Sequence, residues 1–261
     1  MPFQQSGPLR YYTFESLEDD HLIQAVFTRA GGLSPAPWES LNLGSTVGDD
    51  PDRVLGNRQR AFQAMGRPSE TIFDAWLVHS ADVVCAEAPR DLTRLPDKAD
   101  AILTDRSTVT LFMRFADCVP VLLYDPHRKV VGIVHAGWIG TVRKVVASAV
   151  EAMHDRYGSN PLDIRAAIGP SIAAHHYPVG PEVVQKVHQS FGMDAPALLP
   201  GSNGGVQFDL WAANRLILEQ CGIRQIEISG LCTACYLGDW YSHRGEHGKT
   251  GRFGVLLALK D

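Results

Sequence analysis

The sequence predicts a layered α/β domain rather than a doubly wound parallel sheet. The middle of the chain holds several apolar, β-branched segments that are typical of buried strands. Helical spacing occurs between and after these segments, but strands and helices do not alternate strictly as repeated βαβ units would. No linker, charge run or fixed-period repeat divides the 261 residues. We therefore expect one domain that spans residues 1–261.

The first predicted elements are a loop and a helix. Residues 31–42 are rich in turn formers and follow neither strand nor helix periodicity, so a loop is expected, and loops of this length are often functional. Asp50 suits an N-cap and Pro51 suits a first helical turn. Helical spacing continues from there to Met65, and Gly66 is placed to stop the helix.

Strands are predicted in the middle of the chain and helices mostly after it. Four segments are apolar and partly β-branched or aromatic, at residues 73–79, 109–115, 119–125 and 130–135. From Val142 to Met153, apolar residues recur on one helical face, and Gly158 is placed to end that helix. Two more helices are expected at residues 182–191 and 210–220, the second with Asp209 as cap. Strands are expected near residues 225–229 and 253–259.

Composition excludes several classes of function. With 24 Lys and Arg against 29 Asp and Glu, the net charge is −5, which gives no general attraction to nucleic acid or to an anionic membrane. Residues 1–10 hold no basic segment that leads into an apolar stretch, and Arg114, Asp117 and Pro120 interrupt the most apolar window. The five cysteines are an odd number spread over a long chain, unlike a disulfide framework. We therefore expect a cytoplasmic protein.

A thiol and an imidazole are expected to meet at one end of a hairpin. Residues 126–129 form a connection whose length suits an antiparallel turn between the two flanking strands. If Tyr124 pairs near Val130, counting outward brings Cys118 opposite Ala136, within one residue of His135. The two side chains would form a metal pair or a catalytic dyad. The alternative is a buried apolar cysteine beside a hydrogen-bonded core histidine.

Several motifs of one known family occur in order along the chain. They are FADCVPVLLYDP, VGIVHAGWIGTVRKVV, AAIGPSI with YPVG, and YSHRGEHGKTGRFG, preceded by SLNLGSTVGDDPDRVLGNR. In these motifs the chain resembles the laccase-domain proteins, also called the multicopper polyphenol oxidase family. The resemblance implies a single layered domain of packed mixed sheets flanked by helices, similar to the catalytic domain of cytotoxic necrotizing factors. It also implies a purine nucleoside phosphorylase that deaminates adenosine and holds zinc through two histidines and one cysteine.

Carried over by motif, the resemblance implies His79, Cys118 and His135 as metal ligands. One cysteine and two histidines form a zinc-compatible set with an open fourth position, the pattern of catalytic rather than structural zinc. Zinc in such a site can activate water for attack on the purine 6-position. Two positions depart from the family pattern: Ser80 replaces the usual glycine, and Pro178 stands where an acidic residue is common.

Phosphorolysis also requires a site for phosphate and nucleoside. Arg244, in the SHR motif, can clamp phosphate with its planar guanidinium, and Lys249 and Arg252 follow closely. The alternative for Lys249 is a solvated basic loop. Asn42, in the SLNL motif, is either a hydrogen-bonding residue near the site or a turn-stabilising asparagine. We expect purine nucleoside and phosphate as ligands and neither nucleic acid nor membrane as a partner.

Two further groups of potential ligands give weaker signals. Cys232 and Cys235 have the spacing of a zinc knuckle or a redox pair, but no second such pair exists in the chain. Cys232 is interpreted as a packing or substrate-near residue and Cys235 as incidental. His175 and His176 are adjacent, and adjacent side chains rarely share one ion without further partners, so a surface turn is expected there.

Four classes of function are weighed. The first is a zinc-dependent purine nucleoside phosphorylase with deaminase activity. The second is a copper-dependent polyphenol oxidase, but none of the 10 histidines forms the His-x-His pairs that a four-copper site needs. The third is a cysteine hydrolase with Cys118 as nucleophile and His135 as base, although it would not require His79 beside the thiolate. The fourth is a binding module without turnover.

Overall fold

The computed structural model describes residues 2–202 and 205–260. Its strands are β1 (Phe3–Ser6), β2 (Leu9–Tyr12), β3 (Leu22–Phe27), β4 (Ile72–Phe73), β5 (Val83–Cys85), β6 (Ala101–Thr104), β7 (Thr110–Phe115), β8 (Val119–Asp125), β9 (Val130–Ala136), β10 (Arg165–Ile168), β11 (Gly201–Ser202), β12 (Gly205–Val206), β13 (Gln225–Ile228) and β14 (Phe253–Leu259). Its α-helices are α1 (Pro51–Ala64), α2 (Trp138–Val142), α3 (Val145–Tyr157), α4 (Pro181–Phe191), α5 (Ala195–Leu198) and α6 (Leu210–Gln220).

Two six-stranded mixed sheets form the centre of the fold. The first sheet has the order β1-β2-β3-β14-β7-β4, and the second has the order β13-β10-β8-β9-β6-β5. Val255 of the first sheet and Ile133 of the second are fully buried in one shared core. Helix α1 covers the outer face of the first sheet, with Phe62 against Phe112. Helices α3, α4 and α6 cover the outer face of the second sheet, so the predicted layered α/β class is confirmed.

The predicted hairpin lies at the centre of the second sheet. Every residue of β8 and β9 is buried, as expected for strands covered on both faces. The register differs by one residue from the sequence count, because Tyr124 pairs with Val131. Pro120 lies opposite His135 at the far end. Cys118, which directly precedes β8, therefore still reaches the same strand end as His135.

A three-residue segment, 116–118, carries the chain from one sheet to the other. Strand β7 ends at Phe115 in the first sheet, and β8 begins at Val119 in the second. Asp117 has a φ of 82°, a left-handed conformation that turns the backbone sharply. This crossing places Cys118 directly before β8, where the chain passes from the first sheet to the second.

The last strand along the chain occupies the middle of the first sheet. Strand β14 pairs antiparallel with β3 on one side and with β7 on the other. The strand predicted at residues 253–259 is therefore confirmed. Because β3 and β7 are not neighbours, β14 joins the β1-β2-β3 group to the β7-β4 pair within this sheet.

Two sequence predictions of continuous elements are wrong. The strand expected at residues 73–79 ends at Phe73. The Asp74 side chain forms a buried ion pair with Arg90, and His79 has a left-handed φ of 58°, which a strand does not allow. The helix expected across residues 142–153 is two helices. Lys144, with a φ of 63°, separates α2 from α3. Eight strands were outside the prediction: β1, β2, β3, β5, β6, β10, β11 and β12.

The remaining predicted elements agree with the structure. Asp50 accepts hydrogen bonds from the first backbone N–H groups of α1, and Asp209 does the same for α6. Gly158 ends α3 in the left-handed conformation. Residues 31–42 form a loop that is closed by a bridge between Ser34 and Ser40. Among residues 2–202 and 205–260, no helix combines the length and the apolar character that crossing a membrane requires.

Candidate metal centre and its cavity

Three separate segments bring together the predicted metal ligands. His79 lies in the loop after β4, Cys118 directly precedes β8, and His135 lies in β9. One nitrogen of each histidine and the Cys118 sulfur all lie within 4.8 Å of one another. His135 is buried, whereas the other two residues are partly exposed to a cavity. One thiolate and two imidazoles around one point form a donor set that suits zinc.

Asp100 orients one of these ligands. Strand β6 pairs with β9, so Asp100 lies beside His135, and its Oδ1 is 2.9 Å from His135 Nδ1. Because an ionised carboxylate only accepts hydrogen bonds, Nδ1 carries the proton and Nε2 is left for a metal. Burial alone would raise the pKa of Asp100, but hydrogen bonds from His135 and Ser80 lower it to about 2. This carboxylate is therefore ionised across the physiological range.

Ser80 stands where the family resemblance predicts glycine, and it is accommodated through the same carboxylate. The Ser80 backbone N–H and its hydroxyl both donate to Asp100 Oδ2, at 2.6 and 3.1 Å. The hydroxyl oxygen also accepts a bond from the Asp82 backbone N–H at 3.0 Å. The substitution thus adds one hydrogen bond to the group that orients His135, and the adjacent His79 keeps its place in the ligand set.

The thiol and the imidazole polarise each other in the absence of a metal. Burial raises the pKa of Cys118, but the charges and hydrogen bonds of His135 and His79 lower it to about 6. Burial lowers the pKa of His135, but the Cys118 thiolate and Asp100 raise it to about 9. Near neutral pH the pair is therefore a thiolate and an imidazolium. A bound cation would replace the imidazolium proton and keep the thiolate.

Gly137 makes the approach of the ligands possible. A Cβ at this position would lie 2.9 Å from Cys118 Sγ and 3.2 Å from His79 Cδ2. These distances are shorter than ordinary van der Waals contacts, so a side chain would push the two ligands away. Gly137 therefore has a steric role in the HAGW motif.

The ligands face a cavity of about 690 Å³. Its lining is strongly cationic although the whole chain carries a net charge of −5. Six arginines and only two aspartates contribute: Arg58, Arg90, Arg94, Arg114, Arg244, Arg252, Asp74 and Asp117. Apolar and aromatic side chains complete the wall, including Trp76, Leu77, Leu92 and Tyr177. Such a cavity suits a ligand with both an anionic part and a flat apolar part.

A compact arginine group lies deep in one wall. Asp74 Oδ1 accepts from Arg90 Nε at 2.6 Å, and Asp74 Oδ2 accepts from Arg114 Nη1 at 2.7 Å. Arg58 lies nearby, and its pKa is lowered to about 10 by burial and then by the charge of Arg114. Asp74 therefore pairs with two of the three guanidinium groups and neutralises only part of their charge. The remaining positive charge favours an anion in this part of the cavity.

The SHR loop is fixed beside Cys118 by Asp117. Its Oδ2 accepts from the Arg244 backbone N–H at 2.6 Å, and its Oδ1 accepts from the hydroxyls of Ser242 and Thr233 at 2.7 and 2.6 Å. The Arg244 guanidinium lies 5.1 Å from the centre of the Tyr177 ring. Arg244, the residue predicted to bind phosphate, therefore lines the cavity. Its loop is hydrogen-bonded to Asp117 of the ADC motif.

The other two predicted substrate residues do not line the cavity. Asn42 is fully buried, and its amide donates to Gly44 O and Asp49 Oδ2 and accepts from the backbone N–H groups of Gly44 and Arg252. All its polar positions are thus used within the protein, and it shapes the turn that presents residues 44–46. Lys249 is exposed on the surface, outside the cavity lining.

Three carboxylates of the site were missed in the sequence. Asp117 stands inside the ADC motif, so a charged residue between apolar neighbours was an available signal. Asp74 is 16 residues from Arg90 and 40 from Arg114, a separation that no motif marks. Asp100 is a single carboxylate before a short strand, and only the pairing of β6 with β9 shows that it lies beside His135.

Comparison with known proteins gives consistent matches over most of the chain. A family model described as multi-copper polyphenol oxidoreductase laccase matches residues 23–260. Purine nucleoside phosphorylase YlmD of Bacillus subtilis is 35% identical over 248 residues, 92% of this chain and 89% of that protein. A purine nucleoside phosphorylase of Deinococcus radiodurans is 37% identical over 235 residues, 90% of this chain and 88% of that protein.

Solved structures share the same fold. YlmD from Geobacillus stearothermophilus superposes with a TM-score of 0.92 at 31% identity, covering 100% of this chain and 99% of that chain. The Bacillus licheniformis hypothetical protein YfiH superposes with a TM-score of 0.91 at 33% identity and covers 99% of each chain. The two-sheet architecture is therefore common to all three proteins.

Proposed function

Because the chain belongs to the multi-copper polyphenol oxidoreductase laccase family, we propose that it is a zinc-dependent purine nucleoside phosphorylase that also deaminates adenosine. Its substrates are a purine nucleoside and phosphate, and its products are the free base and ribose 1-phosphate. The observation that carries the proposal is one cavity lined by both a three-ligand metal site and six arginines. Arg114 lies in β7 of the first sheet and His135 in β9 of the second, so both sheets contribute to one cavity, which supports a single domain.

The donor set supports zinc at His79, Cys118 and His135. Zinc bound there would supply a Lewis acid and, through its open fourth position, an activated water for deamination. Asp100 supports this by holding the His135 tautomer that leaves Nε2 for the metal. Copper is the less supported alternative, because this cluster offers only two histidines.

The arginines support the phosphorolytic half of the proposal. A phosphate oxygen forms a bond to the ribose C1′, while the bond from C1′ to the purine nitrogen breaks and the base leaves with the electron pair and takes up a proton. The protein must therefore hold a phosphate dianion on one side of the sugar. Among the described residues, the Arg244 guanidinium donates one hydrogen bond, to the Pro178 carbonyl at 3.4 Å, and so retains donors for phosphate oxygens. Arg58 and Arg252 line the same cavity.

The apolar part of the cavity supports a purine ligand. The Trp76 side chain lines the cavity with 47% of its surface exposed, and Leu77 and Leu92 lie on the same wall. An exposed indole beside aliphatic side chains offers a flat surface on which an aromatic base can stack. Arginines and apolar side chains together thus match the two ends of a nucleoside and phosphate pair.

The proposal is tested with metal-analysed protein and four nucleosides: adenosine, inosine, guanosine and methylthioadenosine. Chromatography with phosphate present should detect free base and ribose 1-phosphate, and base release should stop when phosphate is omitted. Adenosine should yield inosine without phosphate. Absence of turnover with every nucleoside in zinc-loaded protein would overturn the proposal and favour a binding module. Phenol oxidation by copper-loaded protein would instead favour the oxidase.

A cysteine hydrolase is a second candidate because of one specific arrangement. Asp100, His135 and Cys118 have the connectivity of a carboxylate–imidazole–thiol triad. In a hydrolase, metal removal would raise ester or amide hydrolysis, because the thiolate would be released for attack. In a zinc enzyme, the same treatment should abolish nucleoside turnover. Comparing both activities before and after chelation separates the two candidates.

A further inference from the structure

We propose a second zinc site on the protein surface, formed by His175, His176, Cys232 and Cys235. Their four ligand atoms all lie within 4.8 Å of one another. None of them belongs to the cluster that faces the cavity. The site therefore stands independently of the proposed function and predicts a further metal ion in the same chain.

Two tight turns bring these four side chains together. The 3-10 turn Ala174–His176 presents both histidines on the surface. In the other turn, the Cys235 backbone N–H donates to Cys232 O at 3.2 Å, which keeps the two thiols close. The turns are joined by a bridge between Ser171 and Cys232. Local hydrogen bonds thus hold the site together from two distant parts of the chain.

The distances between ligand atoms match a tetrahedral zinc ion. His175 Nε2 lies 3.1 Å from Cys235 Sγ, and His176 Nδ1 lies 3.5 Å from the sulfurs of both Cys232 and Cys235. Bonds of about 2.1 Å to nitrogen and 2.3 Å to sulfur at tetrahedral angles put nitrogen and sulfur about 3.6 Å apart. These three nitrogen–sulfur distances lie within about 0.5 Å of that value, and all four ligand atoms lie close enough for side-chain adjustment to close them around one ion.

The chemistry of the four groups points to a closed, structural site. Two thiolates and two imidazoles fill all four tetrahedral positions of zinc, as in small zinc-binding modules. The Cys232 sulfur also accepts a hydrogen bond from the Ala173 backbone N–H at 3.4 Å, a contact that stabilises a metal-bound thiolate. A simple redox pair of cysteines would account for the sulfurs alone. A zinc ion accounts for the histidines as well.

The location gives such an ion a role in bracing the cavity wall. His176 directly precedes Tyr177, which lines the cavity and lies against the Arg244 guanidinium. Cys232 directly precedes Thr233, whose hydroxyl donates to Asp117. An ion at this site therefore connects the segment that carries Tyr177 with the segment that anchors the SHR loop. With no open position, it would hold these segments without contacting substrate.

Zinc analysis of the full-length protein tests the site. The protein is purified under reducing conditions, loaded with zinc and passed through a desalting column. The wild type should then hold about two zinc ions per chain, and the His175→Ala and Cys235→Ser variants should each hold about one. Both positions are exposed, so these variants should fold. Cys221→Ser alters a cysteine outside both clusters and should keep about two. A wild-type content equal to that of Cys235→Ser would overturn the proposal.

Cobalt spectroscopy provides a second, direct readout. In the Cys118→Ala variant, bound Co²⁺ should give a thiolate-to-cobalt absorption from the surface site alone, and adding Cys235→Ser should reduce that absorption. A disulfide between Cys232 and Cys235, detected by mass spectrometry in protein kept under reducing conditions, would overturn the site. Loss of both ions in Cys235→Ser would overturn its independence from the cavity cluster.

Discussion

Two clusters of potential metal ligands lie close to one cavity. They differ in the number of their ligands, in how deeply these side chains are buried, and in whether another residue orients them. The cavity cluster has three ligands, and a buried carboxylate orients one of its histidines. The surface cluster has four ligands, three of them exposed. A set of three leaves room for water or substrate, whereas a set of four closes the coordination sphere. Under the two proposals, ligand count alone separates a reactive ion from a bracing one within one chain.

The largest contrast is expected from removing one sulfur from each cluster. Cys118→Ala should lower phosphorolysis on the order of a hundredfold or more, because losing a direct ligand exceeds the cost of losing an outer partner. Cys235→Ser should keep most of the activity, because its ion contacts no substrate. Initial rates and zinc content measured on the same preparations check both. Equal losses of activity in the two variants would break the comparison.

Arg244 tests whether phosphate binds beside the cavity cluster. Arg244→Ala should reduce phosphorolysis roughly tenfold to a hundredfold and raise the phosphate requirement, because one or two charge-assisted hydrogen bonds are lost. Deamination, which uses no phosphate, should fall less. Lys249→Ala is the matched control, since this exposed cation lies outside the cavity. An unchanged dependence on phosphate in Arg244→Ala would rule out the assigned role.

Asp100→Asn tests whether Asp100 strengthens metal binding at the cavity cluster and not at the surface cluster. The amide cannot hold His135 as an ionised carboxylate does, so affinity for the cavity zinc should fall about tenfold to a hundredfold. The surface zinc should keep its affinity, because Asp100 contacts none of its ligands. Competition with a coloured chelator resolves the two ions. The role of Asp100 is wrong if both ions weaken together.

Thiol chemistry should distinguish the clusters once the metal is removed. The pKa of Cys118 is lowered to about 6, whereas that of Cys235 is raised by burial and by the neighbouring Cys232. A thiol reacts as the thiolate, so alkylation of Cys118 should decline only as pH falls through about 6, while Cys235 should require alkaline pH. At pH 7 we expect Cys118 to react about tenfold faster. Mass spectrometry after iodoacetamide treatment measures both, and identical pH profiles would contradict the assignment.

Ser80→Gly should give the smallest effect. It introduces the glycine that the family resemblance predicts and removes one hydrogen bond to Asp100, which is worth about 1 kcal/mol or roughly a fivefold change in affinity for the cavity zinc. Chelator competition against the wild type detects a change of this size. Tighter zinc binding in Ser80→Gly would mean that the hydroxyl strains the loop instead of supporting it.

The sequence predicted best where one strand or helix carries its own pattern. Strands β8, β9 and β14 are continuous apolar runs, and α1 and α6 begin at capping aspartates, so local chemistry was sufficient. Strands β1, β2 and β3 are short and partly exposed, and β3 joins the β7-β4 pair of its sheet only through β14 at the other end of the chain. No local pattern contains that information.

The residues of the candidate sites also differ in how far the sequence alone could predict them. Cys118 and His135 could be paired from a hairpin count, and His79 required the family motif. The surface cluster could not be predicted, because Cys232 and His176 are 56 residues apart and neither pair of residues is diagnostic alone. Adjacent histidines and a single CxxC pair become informative only when the fold supplies the missing partners.

During synthesis, β14 emerges from the ribosome after strands β1 to β13. All three cavity ligands and the β8-β9 hairpin emerge well before it, so the second sheet can begin to form while the chain is still growing. Until residues 253–259 emerge, β3 and β7 each present an unpaired edge, and such edges invite association with other chains. A growing chain that stalls before residue 253 therefore keeps both edges open, and we expect it to need protection by chaperones at that stage.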